Sequence, residues 1–141
     1  MQIPFLQRVL NKFKLVPVIV GCIDLDNCKM IADRISSVLK DYTSFVLVLS
    51  TDLSHYYPYN KARSIDNVFM QALQSFDENE VYEVLSAGKA HACGEGPVLT
   101  GIIASKALGA KTLRILQYAT SGDTAGGKDQ VVGYLAAAIA K

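Results

Sequence analysis

Apolar residues recur along this chain with two alternating periods, and the alternation predicts an α/β architecture. Ile3, Leu6, Val9, Leu10 and Phe13 share one face at helical spacing, so residues 3–13 read as an amphipathic helix. Leu15–Ile23 follows as a continuous apolar run and reads as a first strand, with Asp24–Asn27 as turn material. Asn27 is placed to cap a helix running to about Lys40, with Ile31, Ile35, Val38 and Leu39 inward. Ser44–Leu49 is a second short apolar run, a buried strand of aliphatic and β-branched residues. Past Pro58, Asn60 is a plausible cap for a helix that buries Ala62, Ile65, Phe69, Ala72, Leu73 and Phe76. Asp77 and Glu80 have capping-box spacing ahead of Val81, Val84 and Leu85, and Gly88 closes that short helix. Pro97 suits the first position of a helix ending near Gly109, and Thr112–Tyr118 reads as a third strand. Gln130–Ala140 fits two patterns: Val131, Tyr134, Leu135, Ala138 and Ile139 suit a helix, while Gly133 and the valine pair permit a central strand.

Composition narrows the function classes. The chain has 141 residues, half of them hydrophobic and 19% charged, which suits one globular domain over residues 1–141. A formal charge of +1 gives no electrostatic case for nucleic acid or an anionic membrane. No stretch approaches the ~20 apolar residues of a spanning helix. Three cysteines, Cys22, Cys28 and Cys93, form neither a CxxC pair nor a zinc-type spacing. That odd number fits a reducing compartment, so the expected location is cytoplasmic. Ile19-Val20-Gly21-Cys22 resembles a lipoprotein cleavage box, but the apolar run Leu15–Val20 is short and holds Pro17, which argues against a leader.

Candidate chemistry gathers in three places. Asp52 and His55 lie just beyond the Ser44–Leu49 run, where open α/β sheets place ligands at strand ends. Asp52 can fix one nitrogen of His55 and leave the other as a base or ligand. Equally, Asp52 can cap the turn and His55 can be a surface residue. Cys93 is flanked by Gly94 and Gly96 one turn ahead of the Pro97 helix, where the positive end of the helix dipole favours a thiolate. A small buried core residue is the plainer fate of such a cysteine, and it is the one expected for Cys22 and Cys28. His91 could join Cys93, although a surface position is the expectation. The third place is Thr120–Asp129, which from Gly122 has GxxxxGK spacing. Asp129 stands where a phosphate loop needs Ser or Thr, so a glycine-rich loop closing over a site at the strand ends is the better account.

Taken together and in order, STDLSHYYPY, then Lys61, Ala62 and Asp66, then ACGEGPV, then YATSGDTAGGKDQVVGYLAAAI resemble the C-terminal half of the Memo-like family. Prokaryotic members of that family are often called AmmeMemoRadiSam system protein B. The opening IPFLQ resembles the segment that begins that half, so the resemblance spans essentially the whole chain. It implies an α/β fold with a mixed central β-sheet flanked by helices, similar to class III extradiol ring-cleaving dioxygenases but lacking the N-terminal half. It also implies that Gln130–Ala140 is a strand.

By the same resemblance, Cys93 is a metal ligand and Asp52 and His55 are the neighbouring acid/base pair. The other two ligands in such proteins are histidines of the N-terminal half, whose motifs do not occur here. A single thiolate is a poor site for a first-row metal, so iron or copper is expected to bind weakly or not at all to this chain alone. The implied partner is either a second copy, in a homo-oligomer, or a protein supplying the missing half. A contrasting reading is a non-catalytic protein- or peptide-binding module that uses the same cleft.

Overall fold

The computed structural model describes residues 2–21, 24–124 and 126–141. In chain order the elements are α1 (Ile3–Val9), α2 (Leu25–Leu39), β1 (His55–Tyr57), α3 (Tyr59–Gln74), α4 (Glu78–Ser86), α5 (Glu95–Ala107), β2 (Thr112–Thr120), α6 (Ser121–Thr124) and β3 (Val131–Ala140). The fold is mixed α/β. Among the described residues the sheet has three strands in the order β1-β3-β2, and both pairings are antiparallel. The mixed sheet expected from the sequence is therefore an antiparallel one in this structure.

The difference arises from two runs read as strands. Residues 15–21 and 44–50 have no ladder partner among the described residues, and Cys22 and Ile23 lie outside them. Both runs carry strand-like residues, but a strand also needs a neighbour for its N–H and C=O groups. Their side chains are accordingly open to solvent: Val16 is 81% exposed, Ile19 96% and Val46 74%. The last segment is a strand: β3 pairs with β2 from Thr112↔Ala140 to Thr120↔Gly133, with one register shift between Ile115 and Gln117.

The helices differ from expectation mostly at their ends. α1 stops at Val9 and has no buried residue, so the predicted face over residues 3–13 covers nothing. α2 is capped by Asp24, whose carboxylate accepts from the Asp26 N–H at 3.1 Å and the Asn27 side chain at 2.7 Å. Asp24 wins the cap because Asn27 already lies inside the first turn. Its buried face runs through Cys28 and Ala32, and Val38 is 61% exposed rather than inward. In α3, Pro58 is the capping position and Asn60 lies within the first turn. Asp77 caps α4 by accepting from the Asn79 N–H at 2.8 Å. α5 begins at Glu95, so Pro97 is its third residue, still among the N–H groups that have no intrahelical acceptor.

The core is built where α3, α4 and α5 meet the sheet, around Phe69, Leu53, Leu99, Ile102 and Val81, each at most 2% exposed. α5 is apolar on nearly every side, with seven buried residues, because α2 and α4 pack on it as well. Its N-terminus and the segment before β1 meet at one end of this core.

Candidate functional site

The segment 51–55 is fixed by backbone bonds on one side and a buried acid on the other. The Leu53 N–H donates to the Gly133 carbonyl at 2.9 Å, and the Gly133 N–H returns a bond to the Ser54 carbonyl at 3.0 Å. The Ser54 N–H donates to Asp66 Oδ1 at 2.9 Å, and Tyr118 Oη donates to Asp66 Oδ2 at 2.7 Å. Asp66 is fully buried on the inner face of α3. Residue 133 must be glycine for this packing, since a Cβ there would overlap Asp66 Oδ2 and come within 2.8 Å of its Cγ. Burial, then the hydrogen bond to Asp66 and its negative charge, push the Tyr118 hydroxyl well above its ordinary pKa.

Cys93 is held against the same segment by reciprocal contacts. Its N–H donates to the Asp52 carbonyl at 3.0 Å, while the Asp52 N–H donates to Cys93 Sγ at 3.1 Å. Thr51 Oγ1 accepts from the Gly94 N–H at 2.9 Å, donates to the Asp52 carbonyl at 2.8 Å, and lies 3.9 Å from Cys93 Sγ. Such close approach requires glycine at 94, where a Cβ would overlap the Ser50 carbonyl oxygen. The sulfur thus has a backbone N–H aimed at it just ahead of the α5 N-terminus.

His55 completes the cluster. Its Nε2 is 3.8 Å from Asp52 Oδ2, longer than a hydrogen bond, and this nitrogen is buried with no hydrogen-bond partner. One donor atom each from Asp52, His55 and Cys93 lie within 4.8 Å of one another. The residue after His55, Tyr56, has φ 62°, a left-handed conformation that a non-glycine residue adopts at a cost of about 1–3 kcal/mol. That local strain turns the chain between His55 and Tyr57, where the β1–β3 register shifts.

Cys93 and His55 open onto a cleft of about 440 Å³. Its floor is apolar, from Leu53, Leu85, Ala90 and Ala92, and each of these is at most 5% exposed. His91, expected at the surface, is instead half-buried on the cleft wall, its ring centroid 5.7 Å from that of Tyr57. Glu95 also lines the cleft. Desolvation raises its pKa, and the charge of His91 opposes that rise. Tyr57, Glu95 and Asp66 carried no signal of their own in the sequence, because their roles depend on contacts distant along the chain. Cys28 is buried, its Sγ 3.7 Å from the Gly96 carbonyl, as expected of a core cysteine; Cys22 lies outside the described residues.

The glycine-rich stretch after β2 plays a different part from the predicted closing loop. Asp123 Oδ2 accepts from the Thr120 N–H and Oγ1 at 2.7 and 2.9 Å, and Oδ1 accepts from Tyr59 Oη at 2.6 Å. These bonds, that of Tyr59 first, hold the Asp123 carboxyl down at a pKa of about 2. Tyr59 N–H to the Lys128 carbonyl at 2.9 Å and Val132 N–H to Ser121 Oγ at 3.1 Å tie the stretch to α3 and β3. None of its described residues lines the cleft.

A small α/β fold that presents a thiol, an imidazole and a carboxylate together at one end of its core defines a protein with a candidate metal-binding group. This chain belongs to the Memo-like protein family, which matches residues 1–138. It is 38% identical over 139 residues to a MEMO1 family protein of Saccharolobus solfataricus, covering 96% of this chain and 49% of that protein. A MEMO1 family protein of Sulfolobus acidocaldarius is 38% identical over 136 residues, covering 95% and 48%. One of Methanopyrus kandleri is 36% identical over 137 residues, covering 96% and 48%. The chain thus spans about half the length of the curated relatives it matches. Among the described residues no helix is long and apolar enough to cross a membrane.

Proposed function

We propose that this chain contributes a metal- and redox-linked site on an extradiol-dioxygenase-like fold, with Cys93 as a ligand and Asp52 and His55 as its acid/base pair. The observation that carries the reading is the convergence of the three donor atoms within 4.8 Å, with His55 Nε2 buried and lacking a hydrogen-bond partner. Donor atoms on a common four-coordinate ion lie roughly 3.3–3.8 Å apart, given bonds of about 2.0–2.3 Å. Small side-chain rotations span that difference, so an ion held by Cys93 would lie beside Asp52 and His55, and the residues fit a metal. A thiolate ligand with an imidazole and a carboxylate beside it suits iron, copper or zinc. When bound, the ion would supply a Lewis-acidic and, for iron or copper, a redox-active centre. The Asp52 carboxylate, 3.8 Å from His55 Nε2, would stabilise the charged imidazole, and His55 would take a proton from a group held beside Cys93.

The affinity expected for iron or copper is weak, because the resemblance assigns two further histidine ligands to the half of the relatives that this chain does not span. Titration of the purified chain with ferrous, cuprous and zinc ions, followed by elemental analysis after desalting, tests this. Micromolar or weaker binding that disappears in Cys93→Ser and falls in His55→Ala is the expected result. Binding unaffected by Cys93→Ser would remove the assignment.

A second part of the proposal concerns association. A groove of about 640 Å³ runs between residues 45–49 and 135–140, lined by Leu47, Leu49, Phe69, Ile102 and Leu135 among others. β3 pairs with β2 along one edge, while its pairing with β1 on the other reaches only Val131 and Val132. The groove therefore has an open strand edge on one wall and chain without a ladder partner on the other. Its proposed occupant is a polypeptide equivalent to the remaining half of the relatives, because these are about twice the length matched here. Light scattering over a concentration series tests the idea. Self-association, or a stoichiometric complex with the missing half of a relative, is expected of an uncovered groove. A protein that stays monomeric at high concentration and ignores that half would refute it.

A further inference from the structure

The cleft beside Cys93 has a chemical character that the metal reading does not use. No Lys or Arg is among the residues that line it, although the chain carries 14 of them. Its one acidic wall residue is Glu95, the first residue of α5. Two aromatic rings, Tyr57 and His91, line the same cleft, inclined at 58° to each other. Beneath them is the apolar floor.

Each component selects against some ligands. An anion entering this cleft would face the Glu95 carboxylate with no Lys or Arg to offset it, and only the imidazoles to attract it. A fully polar molecule would leave the floor unfilled and gain nothing from displacing water there. A cation with an apolar body satisfies every wall: its charge pairs with Glu95, its face lies on Tyr57 or His91, and its body covers Leu53 and Leu85. A cleft of about 440 Å³ has room for a small organic molecule.

We propose that this cleft binds small primary amines with an aromatic or aliphatic body, with Glu95 as the residue that selects the ammonium group. The site needs no metal, so its failure and that of the metal assignment are separable. Neither His91 nor Glu95 belongs to the group that brings Cys93, His55 and Asp52 together. They would decide which molecule is presented to that group.

The test compares three ligands of matched shape: 2-phenylethylamine, 2-phenylethanol and 3-phenylpropionate. Each is titrated into the ¹⁵N-labelled full chain in the presence of a chelator, and amide shifts are followed around residues 88–95. The amine is expected to bind at least about tenfold more tightly than the alcohol, and the acid more weakly than either. Glu95→Gln should bring the amine down to the level of the alcohol and leave the alcohol unchanged. Glu95→Asp should recover part of the preference, and the circular dichroism spectrum of each variant confirms that it is folded. The proposal is overturned if the acid binds as well as the amine, if shifts fall elsewhere, or if Glu95→Gln retains the amine preference. A parallel zinc titration of Glu95→Gln should give the affinity of the unaltered chain, because Glu95 is outside the donor group.

Discussion

Replacing Asp66 with asparagine keeps the shape of a buried side chain and changes only what its two oxygens can accept. In the native arrangement Oδ1 accepts from the Ser54 N–H and Oδ2 from the Tyr118 hydroxyl. Asparagine offers one oxygen and one amino group, so one of these donors must face another donor. A hydrogen bond to a charged acceptor contributes about 1.5–3 kcal/mol, and a buried donor left without a partner costs about 1–3 kcal/mol. Relief of carboxylate burial offsets part of this loss. The net expected destabilisation is about 2–3 kcal/mol, a large share of the ~5–15 kcal/mol that holds a domain of this size.

Urea denaturation followed by far-ultraviolet circular dichroism measures the effect, the chain having no tryptophan to report it by fluorescence. The midpoint should fall at constant slope, as it does when stability changes without a change in the unfolded state. Tyr118→Phe removes one of the same bonds, so the double variant should lose about 1–2 kcal/mol less than the sum of the singles. If Asp66→Asn lies within about 0.5 kcal/mol of the parent, or if the two changes simply add, Asp66 is not the anchor described here.

Three shorter tests address the surroundings. Gly94→Ala drives a Cβ into the Ser50 carbonyl and Thr51 Cβ, so it should cost about 1–3 kcal/mol by denaturation and loosen Cys93 from Asp52, weakening metal binding with it. Tyr56→Gly removes the left-handed strain at φ 62° and should change stability by no more than about 1 kcal/mol, toward stabilisation, in thermal melts; a clear loss would assign the ring a packing role beside His55. The Asp123 carboxyl has a folded pKa of about 2 against an ordinary 3.8, so its stabilising effect is complete above the higher value and lost as pH falls through the lower. Denaturation at intervals from pH 5 to 2 should show that loss in the parent chain and a flatter profile in Asp123→Asn.

How far the site could be read from the sequence depended on whether neighbours in sequence are neighbours in space. Asp52 and His55 are three residues apart, and the backbone between them is pinned to β3, so their closeness, 3.8 Å without a hydrogen bond, follows from local spacing. Cys93 was visible by its glycines, which permit the approach to Ser50 and Thr51. Asp66 was visible only as one member of a motif, since helical periodicity places an acid on an inner face without naming its partners 12 and 52 residues away. The helices of the core were legible for the same local reason. Their apolar faces repeat every three or four residues, and the differences lie mostly at the ends, as at Asp24, Gly94 and the exposed Val38.

Strands are a harder case, because their stability is shared between two chain segments. Residues 15–21 and 45–49 carry the right side chains for buried strands, yet they have no ladder partner and are largely solvent-facing while the Ala-rich edge of β3 lies open across a groove from the second of them. Closing 45–49 directly onto β3 would continue the antiparallel pairing that already joins Leu53 and Ser54 to Gly133, without any new turn. The groove volume measures how far that closure is from complete, and Leu49 is already drawn onto α5, its methyls lying where a Cβ on Gly101 would be. Packing against α5 therefore competes with pairing to β3 for the same short segment. An extended polypeptide entering the groove would resolve the competition: it could hydrogen-bond to the β3 edge while leaving Leu49 seated on the helix. Strand addition at this groove and order in the 50–55 segment should consequently be coupled, because residues 45–49 lead directly into Thr51, Asp52 and His55.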